Sequence, residues 1–121
     1  MTRQELEERL ISFAVSIYRI CKLMSKSIAG VNLIDQIIRS STSAALNYGE
    51  AVSAESKKDF TRKIKIILKE LRETSIALEI IQQTKLSEAV ADVEKAKKEN
   101  NELISIFVKT LQTAQKNLQI K

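Results

Sequence analysis

Histidine, proline and tryptophan are absent from this chain, and cysteine occurs once. Without histidine there is no His-based catalytic triad, no imidazole zinc site and no Glu-x-x-His ligand pair of the kind di-iron bundles use. The single cysteine, Cys21, excludes an intrachain disulfide and cannot make a zinc site. It reads as a small buried hydrophobe rather than a reactive thiol. Glycine is limited to Gly30 and Gly49, so neither a Gly-x-Gly-x-x-Gly nor a Gly-x-x-x-x-Gly-Lys phosphate loop is present. So few breakers favour long helices over sheets with tight turns. No run approaches the ~18 apolar residues of a membrane span. The first residues, Met1 to Glu8, are polar and acidic, which argues against a signal peptide. These absences predict a cytoplasmic protein with no enzymatic activity and no catalytic, cofactor-binding or metal-binding residues.

What is present is a helical composition. Leu, Ile, Ala, Lys, Glu and Ser dominate the 121 residues, a length that suits one domain over 1–121. Apolar periodicity predicts helices over about 3–28, 33–52, 57–84 and 88–118. Thr2 with Glu5 forms a capping-box pattern, and Ser56 with Asp59 can cap the third helix. Gly30 suits a position just past a helix end, and Asn32 is a good N-cap for the second helix. Gly49, near the end of that helix, either loosens its last turn or admits a close neighbour. The first core stripe is Leu6, Leu10, Phe13, Ile17, Ile20, Met24 and Ile28. The third is Phe60, Ile64, Ile67, Leu68, Leu71, Leu78 and Ile81, widened by Ile66, Ala77 and Ile80. That width exceeds the stripe one bundle core needs and suggests a second contact, within the chain or with another subunit. The last helix carries Val93, Ala96, Leu103 and Phe107, while its segment Lys95–Asn101 is polar enough to project or fray. Short connections make the expected architecture an all-α, up-down-up-down antiparallel four-helix bundle.

The second helix is unusual because one face is polar. Gln36, Ser40, Ser43, Asn47 and Glu50 recur at helical spacing beside a more apolar stripe that includes Ser41 and Tyr48. Mirroring the second and third helices about Ala54–Glu55 places Arg39 across from Glu70, Gln36 from Glu73, Asn47 from Arg62 and Glu50 from Asp59. Arg39 is therefore expected to pair with Glu70 or Glu73, since its planar fork suits a carboxylate. Gln36, Arg39, Ser43, Asn47, Glu50, Glu70 and Glu73 then form a structural polar network that fixes helix register. A ligand or RNA contact through Arg39, Asn47 and Glu50, and an inter-subunit contact, are the competing readings.

The net charge of +5 is concentrated. Residues 56–85 hold eight cations against four carboxylates, or +4. Lys58, Arg62, Lys65, Lys69 and Arg72 share one helical face and are the nucleic-acid candidates. Little aromatic surface is interleaved, so the expected contact is with phosphate rather than stacked bases. The plainer alternative is a solvated face held by charge pairs such as Lys69–Glu73.

The ordered polar positions carry a resemblance. They are Gln36-Ile37-Ile38-Arg39-Ser40-Ser41-Thr42-Ser43, Asn47-Tyr48-Gly49-Glu50-Ala51, Ser56-Lys57-Lys58-Asp59-Phe60 and Leu68-Lys69-Glu70-Leu71-Arg72-Glu73-Thr74. With Glu102-Leu103-Ile104-Ser105-Ile106-Phe107, they resemble the bacterial family of 23S rRNA intervening-sequence proteins over roughly residues 6–115. One departure is Ala51, where many members carry glycine; here glycine precedes the glutamate, at Gly49. The resemblance implies four antiparallel helices assembling as a ring-like homopentamer. It also implies kinship with the basic accessory proteins of diversity-generating retroelements, which engage a reverse transcriptase and nucleic acid. It supplies no catalytic residues. The expected partners are other copies of the chain and RNA or a nucleic-acid-processing protein, with no membrane. A protein–protein scaffold or accessory subunit with no nucleic-acid role is the alternative.

Overall fold

The computed structural model describes residues 1–119, which form four helices and no strand. Helix α1 spans Arg3–Lys22, α2 Ile28–Ala51, α3 Lys57–Thr84 and α4 Val90–Gln119. Thr2 caps α1 and Ser56 caps α3, each accepting from the amide three residues on at 3.0 Å, as their sequence patterns predict. No described helix is long and apolar enough to cross a membrane.

The first two helices divide differently from the sequence expectation. The apolar period of α1 continues towards Ile28, but α1 stops at Lys22 and α2 begins four residues before Asn32. Ser27 caps α2 by accepting from the Gly30 amide, so Gly30 lies in a first turn rather than beyond a helix end. Ile28 is 93% exposed and leaves the core stripe, whereas Met24 remains buried. The break has a tertiary cause. The Ser25 amide donates to the Leu86 carbonyl at 2.8 Å, and the Glu88 amide donates to the Leu23 carbonyl at 3.1 Å. Ser87 adds a hydroxyl bond to the Ile20 carbonyl. Two connections distant in sequence thereby satisfy each other's backbone groups at one end of the molecule.

One core runs through all four helices, with Phe13, Ile17, Ile37, Ile64, Leu71, Leu78, Leu103 and Phe107 among its buried side chains. Each helix touches the next in chain order, and α1 also touches α4. On α2 the buried face is small: Ser40, Ser41 and Ala44 lie where a typical helix would offer leucine. That surface lets the bulky α3 side chains approach closely. At the other end of α2, Tyr48 meets Phe107 edge-on, with ring centroids 5.5 Å apart. Segment Lys95–Asn101 neither projects nor frays. Ala96 and Asn100 are buried within it, and Lys97 and Glu99 bond to neighbouring helices.

Candidate nucleic-acid interface

A helix that buries Ile64, Ile67, Leu71 and Leu78 must turn its opposite face outward. On α3 that face holds Lys58, Arg62, Lys65, Lys69 and Arg72, all exposed. By helical rise they form a line about 21 Å long. Arg62 is paired with Asp59, one turn earlier, in an exposed contact. The other four make no ion pair among the described residues, and the expected Lys69–Glu73 pair does not form. Lys63 is drawn off the ridge and bonds Glu50 of α2 at 2.6 Å. Beyond Arg72 the outward face turns apolar: Ile76 and Ile80 are exposed. Of the line the sequence suggested to widen the α3 core, only Ala77 is buried.

The polar face of α2 is arranged differently from the mirrored expectation. The Arg39 side chain is 74% exposed and pairs with Asp35 on its own helix, at 2.7 Å. It does not reach Glu70 or Glu73. Gln36 donates to Asn32, and Asn47 donates to the Ser43 carbonyl and hydroxyl, all within α2. Of the seven residues expected to form a network, only Glu50 bonds across to another helix, and its partner is Lys63 rather than Asp59. The register explains the difference. Mirroring about Ala54–Glu55 sets Ser40 opposite Lys69 and Glu50 opposite Asp59. The observed partners are Thr74 and Lys63, five and four residues further along, or about one helical turn.

The buried polar contact between α2 and α3 is a hydroxyl pair. Ser40 and Thr74 lie 2.7 Å apart, and Thr74 also donates to the Glu70 carbonyl at 3.0 Å. A chain from Ser40 to Thr74 to that carbonyl satisfies both hydroxyls without burying a charge. Thr74 continues the three-and-four spacing of Leu71 and Leu78, a signal that was present in the sequence. Asn100 follows the same rule between Ala96 and Leu103, and its Nδ2 donates to the Leu71 carbonyl at 2.9 Å.

The strongest charged contact lay beyond sequence reasoning because it joins the two ends of the chain. Arg9 of α1 grips Glu99 of α4 through two nitrogens, at 2.6 and 2.7 Å, and reaches Glu102 at 2.9 Å. The hydrogen bonds it donates to Glu99 and then to Glu102 hold the guanidinium above its ordinary pKa. The carboxyl of Glu79 lies below the usual range because Gln83, and then Lys97, hydrogen-bond it. Burial pushes the Cys21 thiol up to about 11, which suits an inert core position. The Arg9 and Glu99 side chains are 26% and 29% exposed, so screening is incomplete. Arg9→Ala is expected to lower the unfolding free energy by about 1–2 kcal/mol, above the usual surface pair because the contact is forked. Glu102→Ala, which leaves that fork intact, should cost less than about 0.5 kcal/mol. Urea unfolding of the two variants checks the order.

These features define an all-helical protein of four helices sharing one core, with a basic ridge on α3 in which Arg62 alone is paired with a carboxylate among the described residues. The sequence model of the 23S rRNA-intervening sequence protein family matches residues 4–109, and the chain belongs to that family. A crystal structure from Bacteroides thetaiotaomicron, described as a protein with unknown function from the S23 ribosomal protein family, is similar in fold. It shares 28% identity at a TM-score of 0.79, covering 88% of this chain and 97% of the other. No curated protein matches.

Proposed function

We propose that this chain is a non-enzymatic, oligomeric helical bundle in the cytoplasm whose α3 ridge contacts the phosphates of structured RNA or a ribonucleoprotein. The observation that carries the reading is the run of Lys58, Lys65, Lys69 and Arg72, exposed on one face without carboxylate partners among the described residues. Phosphate contact of this kind releases counterions, so affinity falls steeply with salt, with a log–log slope of about −0.7 to −0.9 per phosphate engaged. A structured RNA titrated at low and raised salt tests it. The Lys58→Glu, Arg62→Glu, Lys65→Glu, Lys69→Glu variant is expected to abolish binding and to flatten the salt dependence. Unchanged affinity in that variant would move the site elsewhere.

The contacts of each helix with its chain neighbours, closed by α1 with α4, support an up-down-up-down course. Ile11, Val15 and Tyr18 form an exposed apolar line on α1 at helical spacing, and Leu46, Ile76 and Ile80 are exposed on α2 and α3. So much outward apolar surface favours assembly, and the ring-like homopentamer is the assembly we propose. Light scattering over a dilution series tests it, and a monomer at all concentrations removes it. The same apolar surface favours the second reading, a protein–protein scaffold, which RNA-free binding behaviour of the parent protein would support.

A further inference from the structure

We propose that the open end of the four helices carries a docking groove for an acidic, apolar peptide of a partner protein, independent of the RNA reading. The two ends of the molecule differ. One is closed by the hydrogen-bonded connections around Met24 and Ser87. At the other, the start of α1, the α2–α3 connection and the last third of α4 leave a groove of about 800 Å³. That volume lies in the range of ligand sites, roughly 300–1,000 Å³, which are mostly apolar with a few placed polar groups.

The groove's composition selects its occupant. Leu6, Tyr48, Phe60 and Ile106 supply apolar wall. Arg3, Lys57 and Lys109 stand at it as exposed cations, and none forms an ion pair among the described residues. Arg3 is held over the Phe60 ring, 5.7 Å from its centroid, so its charge stays beside the apolar surface. Among the described residues, the one carboxylate side chain in the lining is Glu55. Three cations against one anion complement an acidic occupant and oppose a basic one. Thr110, Thr113 and Asn117 follow one another along α4 at three- and four-residue spacing and line the same groove. Thr110 already donates to the Ile106 carbonyl at 2.9 Å and keeps its oxygen as an acceptor, while Thr113 and Asn117 have no side-chain partner among the described residues. Such a polar row matches the amides of a peptide backbone, whereas an acyl chain would leave Thr113 and Asn117 unpaired.

Random dodecapeptides panned against the full chain test the proposal. The enriched set is expected to combine Asp or Glu with Leu, Ile or Phe. A synthetic member should lose about tenfold in affinity for Lys57→Glu, Lys109→Glu by fluorescence anisotropy, and nothing for Lys65→Glu, Lys69→Glu. Both pairs are exposed, so circular dichroism should show intact helices in each. Failure to enrich, a basic or uncharged enriched set, or equal affinity for the groove variant overturns the proposal. So does dodecanoate binding at the groove while no peptide is enriched.

Discussion

Gly30→Ala is expected to destabilise the fold by about 3 kcal/mol, near the upper end for overpacking, while Gly49→Ala stabilises it by about 0.5–1 kcal/mol. The substitution is the same and both glycines lie in α2, so helix propensity alone predicts a gain at each. The difference is tertiary. A Cβ on Gly30 would lie 1.8 Å from the Ser25 carbonyl oxygen and 2.9 Å from its carbon. Those are backbone atoms, and the Ser25 amide is tied to Leu86, so the turn cannot yield without disturbing the bridge between the two connections. A Cβ on Gly49 would meet only the end of the Glu7 side chain, at 3.7 Å, an ordinary contact. Neither glycine has positive φ, so conformational freedom is not the reason for either. Urea unfolding with a shared m-value measures both. A neutral Gly30→Ala would mean that the Ser25 turn is soft and the bridge does not fix where α1 ends.

That turn also marks the limit of what the sequence made legible. The bounds of α3, Lys57 to Thr84, follow from local chemistry: a Ser56 cap, Asp59 at its third position and an unbroken apolar stripe. The basic ridge was legible for a related reason, since the face opposite a strong core stripe must be exposed. The end of α1 was not legible, because the apolar period runs on and the stop comes from a hydrogen-bonded partner more than sixty residues away. Register between α2 and α3 was not legible either. A short connection dictates neighbourhood but leaves about a turn of freedom along the helix axis, and packing of the small Ser40–Ser41–Ala44 surface sets the final offset. The fate of Arg39 follows. Burying a guanidinium and a carboxylate carries a desolvation cost that their attraction need not repay, whereas Arg39 with Asp35 keeps both groups hydrated. Two small hydroxyls meet the need for a cross-helix polar contact at far lower desolvation cost.

Asn100→Asp, almost isosteric, is expected to lower stability by about 4 kcal/mol or more at neutral pH, and by much less in acid. Asn100 is 1% exposed, and its Nδ2 donates to the Leu71 carbonyl. Its Oδ1 is the one buried side-chain nitrogen or oxygen among the described residues with no hydrogen-bond partner. An aspartate there would be ionised in water but would face a carbonyl with no donor to receive it. Burial of this kind raises a carboxyl pKa by up to ~3–5 units, each worth about 1.4 kcal/mol. The sign follows from the raised folded-state value. Stability is retained below the unfolded pKa of about 3.9, where a protonated Asp can still donate to Leu71, and is lost as pH rises towards the folded pKa. Asn100→Leu removes the unpartnered oxygen together with the donor, while the Leu71 carbonyl keeps its place within α3. Its change should stay within about 1.5 kcal/mol and be independent of pH. Unfolding free energies of parent and variants across the acid range separate the terms. An Asn100→Asp loss of equal size in acid and at neutrality would mean that shape, rather than charge, is what this position rejects.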